Sequence, residues 1–298
     1  MKKLSILLTL LVLVSMCGCS KSEPSAQIAA TTLPVYTFTE QLCQGTGLRV
    51  AQLVTEQISC LHDYSLQVRQ MRLVESAETV ILSGAGLEDF LSDALHSATS
   101  VIDASEGVSL LCSTHEHDHT HSHEHDHGST SQSDFDPHIW LSPANARIMA
   151  HNICHGLIDQ YPQYADTFQK NLQTLDSQFT QLEAYGSEAL AQLRSRNMIT
   201  FHDGFSYFAD AFDLTILEAV EEESGSEASA FEIIHLTELI REHKLPAIFT
   251  EINGSASAAS IIAAETDIPV FTISTGLSGK NYFDMMYDNI NTIKEALQ

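Results

Sequence analysis

Short apolar runs recur along the chain, separated by stretches with helical periodicity. Ile28–Val35 reads as a strand that leads into a helix through Leu42. Arg49–Val54, Thr79–Ser83 and Ser100–Ala104 read as further strands, with helices over Ser65–Ser76 and Leu87–His96 between them. Strands alternating with helices predict a parallel sheet. Ser142 before Pro143 marks a helix start, because the hydroxyl can cap the first turn and proline's fixed φ suits the first helical position. That helix runs to about Tyr161. Phe168, Leu172, Leu175, Phe179 and Leu182 then step by 4, 3, 4 and 3, and Leu190 and Leu193 extend the stripe. The spacing predicts one amphipathic helix over about 162–195, roughly 45–50 Å long at the usual rise. A second strand–helix series follows: Met198–Phe201, Thr215–Val220, a helix over Glu232–Lys244, Ala247–Glu251, a helix over Ala256–Thr266, Val270–Ser274 and a last helix over Tyr282–Leu297. The predicted architecture is α/β, with two lobes, each a small, mostly parallel sheet flanked by helices. One long rigid interlobe helix joins them.

Charge narrows the partners. The formal net charge is −25, from 14 Lys+Arg against 39 Asp+Glu, which disfavours nucleic acid or an anionic membrane surface and favours cations. Lys2 and Lys3 precede the apolar run Leu4–Val14, too short to span a bilayer as a helix, so residues 1–18 read as a secretory signal. Gly18 before Cys19 resembles a bacterial lipoprotein processing site, with Cys17 a rival, so a lipid on Cys19 would anchor the chain to the membrane outside the cytoplasm. Residues 19–27 then form a tether, 28–161 a first lobe, 162–195 the linking helix and 196–298 a second lobe. Among Cys43, Cys60, Cys112 and Cys154 one bridge is expected within the first three, leaving Cys154 on its helix.

Seven of the 15 histidines alternate from His115 to His127, interleaved with Glu116, Asp118, Glu124 and Asp126. Residues 113–134 can bury no apolar face and read as a disordered, His-rich loop able to collect late first-row metals. The ordered candidates are different histidines: His62, His138 and His202 each sit where a predicted strand or loop ends. Ligands gather at the carboxyl ends of strands in open α/β sheets. Asp63, Asp136 and Asp203 stand beside them as acceptors for ring N–H groups.

The motifs Cys60-Leu61-His62-Asp63-Tyr64, Asp136-Pro137-His138-Ile139-Trp140-Leu141-Ser142-Pro143 and Phe201-His202-Asp203-Gly204-Phe205-Ser206-Tyr207-Phe208 resemble the metal-ligand motifs of the zinc/manganese solute-binding proteins of bacterial ABC transporters. Phe249-Thr250-Glu251 and the stretch 278–297 resemble that family's closing segments. The resemblance implies His62, His138 and His202 as ligands of a Zn2+ ion carried in the interlobe cleft. It implies delivery of that ion to an ABC permease with its cytoplasmic ATPase, by a monomeric protein. Three neutral nitrogens suit Zn2+ better than Mn2+. Where many relatives carry an acidic fourth ligand this chain has Ser274, so a water, Glu251 or a loop histidine could complete the set. A zinc hydrolase is disfavoured: HExxH occurs only as repeats of the polar His run, at 115–119 and 123–127, which reads as a loop and not as the helix that motif needs, and outside it only Glu251 could serve as a base, so no enzyme is expected. A zinc-dependent surface adhesin or metal-sequestering lipoprotein is the alternative.

Overall fold

Among the described residues, eight strands form two four-stranded sheets with matching order. In the first, β1 (Ile28–Ala30), β2 (Val50–Gln52), β3 (Thr79–Leu82) and β4 (Val101–Asp103) run in the order β2-β1-β3-β4. In the second, β5 (Asn197–Phe201), β6 (Thr215–Ala219), β7 (Ile248–Glu251) and β8 (Val270–Ile273) run in the order β6-β5-β7-β8. Every pairing in both is parallel. The computed structural model describes residues 26–298 apart from 57–60, 62, 63, 113–134, 221–228, 278 and 280.

The helices are α1 (Leu33–Leu42), α2 (Val68–Ser76), α3 (Ser92–Leu95), α4 (Pro143–Gln160), α5 (Ala165–Ala189), α6 (Ser206–Ala211), α7 (Ala230–His243), α8 (Ser257–Thr266) and α9 (Tyr282–Leu297). Their ends follow from local chemistry. Ser142 Oγ accepts from Asn145 N at 3.4 Å at the start of α4, and Pro143 fills the first position. A capping box opens α7, with Glu232 N donating to Ser229 Oγ at 3.2 Å and Ser229 N donating to Glu232 Oε2 at 2.6 Å.

Several predicted elements change. The apolar run 28–35 is not one strand: β1 ends at Ala30 because Pro34 stands in the first turn of α1, where its fixed φ favours helix. The predicted helix over 87–96 is a 3-10 turn, Asp89–Leu91, followed by the four-residue α3. The six-residue α6 was not predicted. A 3-10 turn, Pro162–Tyr164, precedes α5, which ends at Ala189 with Leu190 as its cap. Its 25 residues reach about 37 Å. Leu193 lies past its end, where Arg194 N donates to Leu297 O at 2.9 Å and ties the exit to the last helix.

The stripe Phe168, Leu172, Leu175, Phe179, Leu182 is buried throughout. Phe179 packs edge-on against Phe38 of α1 with centroids 5.4 Å apart, and Phe38 against Tyr282 of α9 at 4.9 Å. Such pairs add about 0.5–1.5 kcal/mol beyond their buried area. One hydrophobic core holds Ile28 and Ile81 of the first sheet together with Met198 and Phe249 of the second. So α5 is the shared wall of both lobes rather than a bare strut between them.

Among the described residues Cys43, Cys112 and Cys154 form no bridge, and Cys60 lies outside them. Burial pushes the Cys43 thiol up to about 12 and the Cys154 thiol up to about 11, so neither presents a thiolate. The proposed leader and most of the tether also lie outside the described residues; within them no helix is long and apolar enough to cross a membrane.

Candidate metal centre

The centre is built on two short segments that the chain brings together from 64 residues apart. His138 precedes a 3-10 turn, Ile139–Leu141, whose three side chains are all buried. His202 follows β5, at the carboxyl edge of the second sheet. Both are buried. Their Nε2 atoms lie 3.4 Å apart, with rings nearly perpendicular at 86°. Two nitrogens sharing one tetrahedral zinc, each at about 2.0–2.1 Å, would stand about 3.3–3.4 Å apart. The pair therefore has the spacing of one edge of such a site.

Asp136 fixes the first ring. Its Oδ1 accepts from His138 Nδ1 at 2.8 Å and from His138 N at 2.9 Å. The Nδ1 proton is thereby committed to the carboxylate, and Nε2 turns its lone pair toward His202. Burial pulls the His138 pKa down, but the Asp136 hydrogen bond and the charges of Asp136, Glu251 and Asp203 push it up, and the net shift is upward. Gly204 makes the approach possible, since a Cβ there would sit 2.8 Å from His202 Cδ2 and 2.9 Å from His138 Nδ1.

Glu251 ends β7 and is 4% exposed. Thr275 Oγ1 donates to its Oε1 at 2.5 Å, with Thr275 N at 3.4 Å. Its Oε2 is buried with no hydrogen-bond partner among the described residues, and burial pushes the carboxyl up to about 7. Ser274 is a different case. Its Oγ accepts from Gly276 N at 3.1 Å and its N–H donates to Asn289 Oδ1 at 2.9 Å, so it serves a local turn.

The His138 segment is bolted to the second lobe. Tyr207 of α6 donates its hydroxyl proton to Asp136 O at 3.0 Å and accepts from Leu111 N at 2.9 Å. Trp140 Nε1 donates to Thr275 O at 2.6 Å, and Tyr282 OH donates to Trp140 O at 2.8 Å. Leu111 and Asp136 are themselves joined by Asp136 N→Leu111 O at 3.0 Å, beside an isolated antiparallel bridge between Cys112 and Phe135. The two ends of the 113–134 stretch are thus tied together next to His138.

Two of the three predicted ligands meet. The third, His62, lies outside the described residues, as do Asp63 and the alternating histidines. Among the described residues no three His, Cys, Asp or Glu side chains stand together at metal-holding distance. Sequence reasoning quoted Gly204 and Tyr207 without giving either a role, and it missed Thr275 altogether. Only the glycine offered a signal, as the small residue two positions after a candidate ligand.

Known proteins were then compared with the chain. The sequence profile of the ZnuA family, described as zinc-uptake complex component A, periplasmic, matches residues 28–296. The zinc-binding lipoprotein AdcA of Streptococcus pneumoniae is 26% identical over 99% of this chain, which spans 61% of AdcA's length. A putative metal-binding protein of Treponema pallidum is 28% identical, over 94% of this chain and 92% of its own length. A crystal structure of ZnuA superposes with a TM-score of 0.78 at 23% identity, covering 92% of this chain and all of the other. The zinc-bound ZnuA-like domain of Streptococcus pneumoniae AdcA superposes at 0.74 and 24% identity, covering 92% and 99%. These superpositions bear on the fold, and they match the two-lobed α/β architecture.

Proposed function

The chain belongs to the ZnuA family of periplasmic zinc-uptake components, and on that premise we propose that it captures Zn2+ between its lobes outside the cytoplasm and hands it to an ABC permease driven by a cytoplasmic ATPase. His62, His138 and His202 take the ion. Glu251, whose Oε2 has no hydrogen-bond partner among the described residues, is the oxygen donor for the fourth place in a chain that has Ser274 instead of an acid, and it shifts toward the two rings on binding, since the three do not stand together at metal-holding distance. The observation that carries the reading is the His138–His202 pair, two buried Nε2 atoms at 3.4 Å with one ring oriented by a buried carboxylate. Imidazole donors favour zinc over manganese. The chain acts as a monomer, held to the membrane by a lipid on Cys19 through residues 19–27. The segment 113–134 serves as an auxiliary, weaker collector of zinc.

Metal content by mass spectrometry tests this on the intact protein, on His138→Ala and on protein lacking 115–127. One tight zinc should survive the deletion and be lost in His138→Ala. Tight zinc that vanishes with the deletion and persists in His138→Ala would transfer the site to the histidine run. A surface adhesin or a sequestering lipoprotein would instead leave growth under zinc starvation unaffected when the gene is deleted.

A further inference from the structure

Helix α4 buries Ala146, Met149, Ala150, Ile153, Cys154 and Leu157. That leaves Arg147, His151, His155 and Asp159 at successive turns along another side. His155 and Asp159 are exposed, and the His151 side chain is 39% exposed. The rings of His151 and His155 lie 6.4 Å apart at 87°. Asp176 reaches across from α5, its Oδ1 2.9 Å from His151 Nε2. Arg147 leaves this carboxylate largely uncompensated. Its close partner is Glu183 at 2.9 Å, and its distance to Asp176 is 3.9 Å.

We infer that His151, His155 and Asp176 form a second, exposed site for borderline divalent cations that prefer imidazole: Zn2+, Ni2+ or Cu2+. Histidines four apart on a helix present their rings on one face, the spacing used when two of them chelate one ion. His151 Nε2 and Asp176 Oδ1 are already within a few tenths of an ångström of the roughly 3.3 Å that separates two donors on one tetrahedral zinc. Replacing the bridging proton with a cation therefore needs little motion at that edge. The third donor, His155, is exposed and swings in by side-chain rotation; water fills the remaining place. No buried carboxylate locks either ring, in contrast to the Asp136–His138 arrangement, so the site binds more weakly than the interlobe centre. Mg2+, Ca2+ and Mn2+, which favour all-oxygen surroundings, are not held.

The test uses the full chain with zinc titrated beyond one equivalent. Diethyl pyrocarbonate modification is read by mass spectrometry on the peptides carrying His151 and His155. Excess Zn2+ or Ni2+ should suppress modification of both histidines together, while Mn2+ should not. His151→Ala should abolish the protection of His155, and Asp176→Asn should shift it to higher zinc, with the one tight zinc retained in both variants. Protection of His155 that is unchanged in His151→Ala would overturn the inference. So would modification rates that neither zinc nor nickel alters at saturation.

Discussion

The two lobes each bury one glutamate at the carboxyl side of a sheet, and the pair differ in a single respect. Glu88 accepts from Thr31 Oγ1 at 2.5 Å and Ser83 N at 2.7 Å on Oε1, and from Gly84 N at 3.0 Å on Oε2. It stitches together the residues that leave β1 and β3. Glu251 likewise accepts from Thr275, two residues past β8, but only through Oε1; its Oε2 has no hydrogen-bond partner among the described residues. Burial pushes both carboxyls up to about 7. A fully satisfied buried carboxyl stabilises its lobe. A half-satisfied one carries a desolvation penalty that a cation can relieve. The same residue type at equivalent edges of matching sheets thus serves structure in one lobe and, on the proposed function, ligand capture in the other.

Four experiments bear on that difference, the largest effect first. Glu88→Ala leaves two backbone N–H groups and a threonine hydroxyl without an acceptor and should cost about 3 kcal/mol of stability in chemical denaturation. A loss under about 1 kcal/mol would show that its hydrogen bonds are not what holds β1 to β3. Glu251→Gln should leave zinc-free stability unchanged or raised, yet weaken zinc binding about 100-fold by competition titration. A stability loss as large as that of Glu88→Ala would erase the contrast. Asp136→Asn should weaken zinc binding about tenfold, because its ring-orienting acceptor loses its charge. An unaltered affinity would mean that the His138 ring is held by packing against Trp140 alone.

The subtlest readout is the pH profile. The folded pKa of Glu88 lies above its unfolded value, so the folded state holds that proton more tightly. Its contribution is complete below about pH 4.5 and is lost as pH rises through about 7. Glu251 is raised to the same extent and adds to the same slope. The denaturation midpoint of the zinc-free protein should decline across that window, and Glu88→Gln should reduce the slope without abolishing it.

Local signals predicted what local chemistry decides. The Ser142–Pro143 start put α4 within a residue of its observed limits, and the last helix, Tyr282–Leu297, was read correctly at both ends. The apolar stripe of α5 was also legible, because period and burial agree along it. Where tertiary contacts set the outcome, the reading failed. Residues 28–35 look uniformly strand-like, yet proline geometry divides them. The 87–96 stretch has too little apolar repeat to sustain a full helix. At the centre, the identities of His138 and His202 were evident from their motifs, whereas their 3.4 Å separation depends on Gly204, Tyr207 and Thr275. Thr275 is distant from both histidines in sequence, Gly204 and Tyr207 are near His202 but meet the His138 segment, and no periodicity encodes such a meeting.

Trp140 gives that meeting an optical signature. It is the chain's single tryptophan, fully buried, with its ring nitrogen on the Thr275 carbonyl and its own carbonyl held by Tyr282. The imidazole of His138 lies edge-on to it with centroids 5.4 Å apart. Tryptophan fluorescence from this protein therefore comes from one indole at the seam between lobes. Any withdrawal of the His138 segment would wet that indole and redden its emission. The opening and closing of the seam can then be timed by stopped flow on the unlabelled protein.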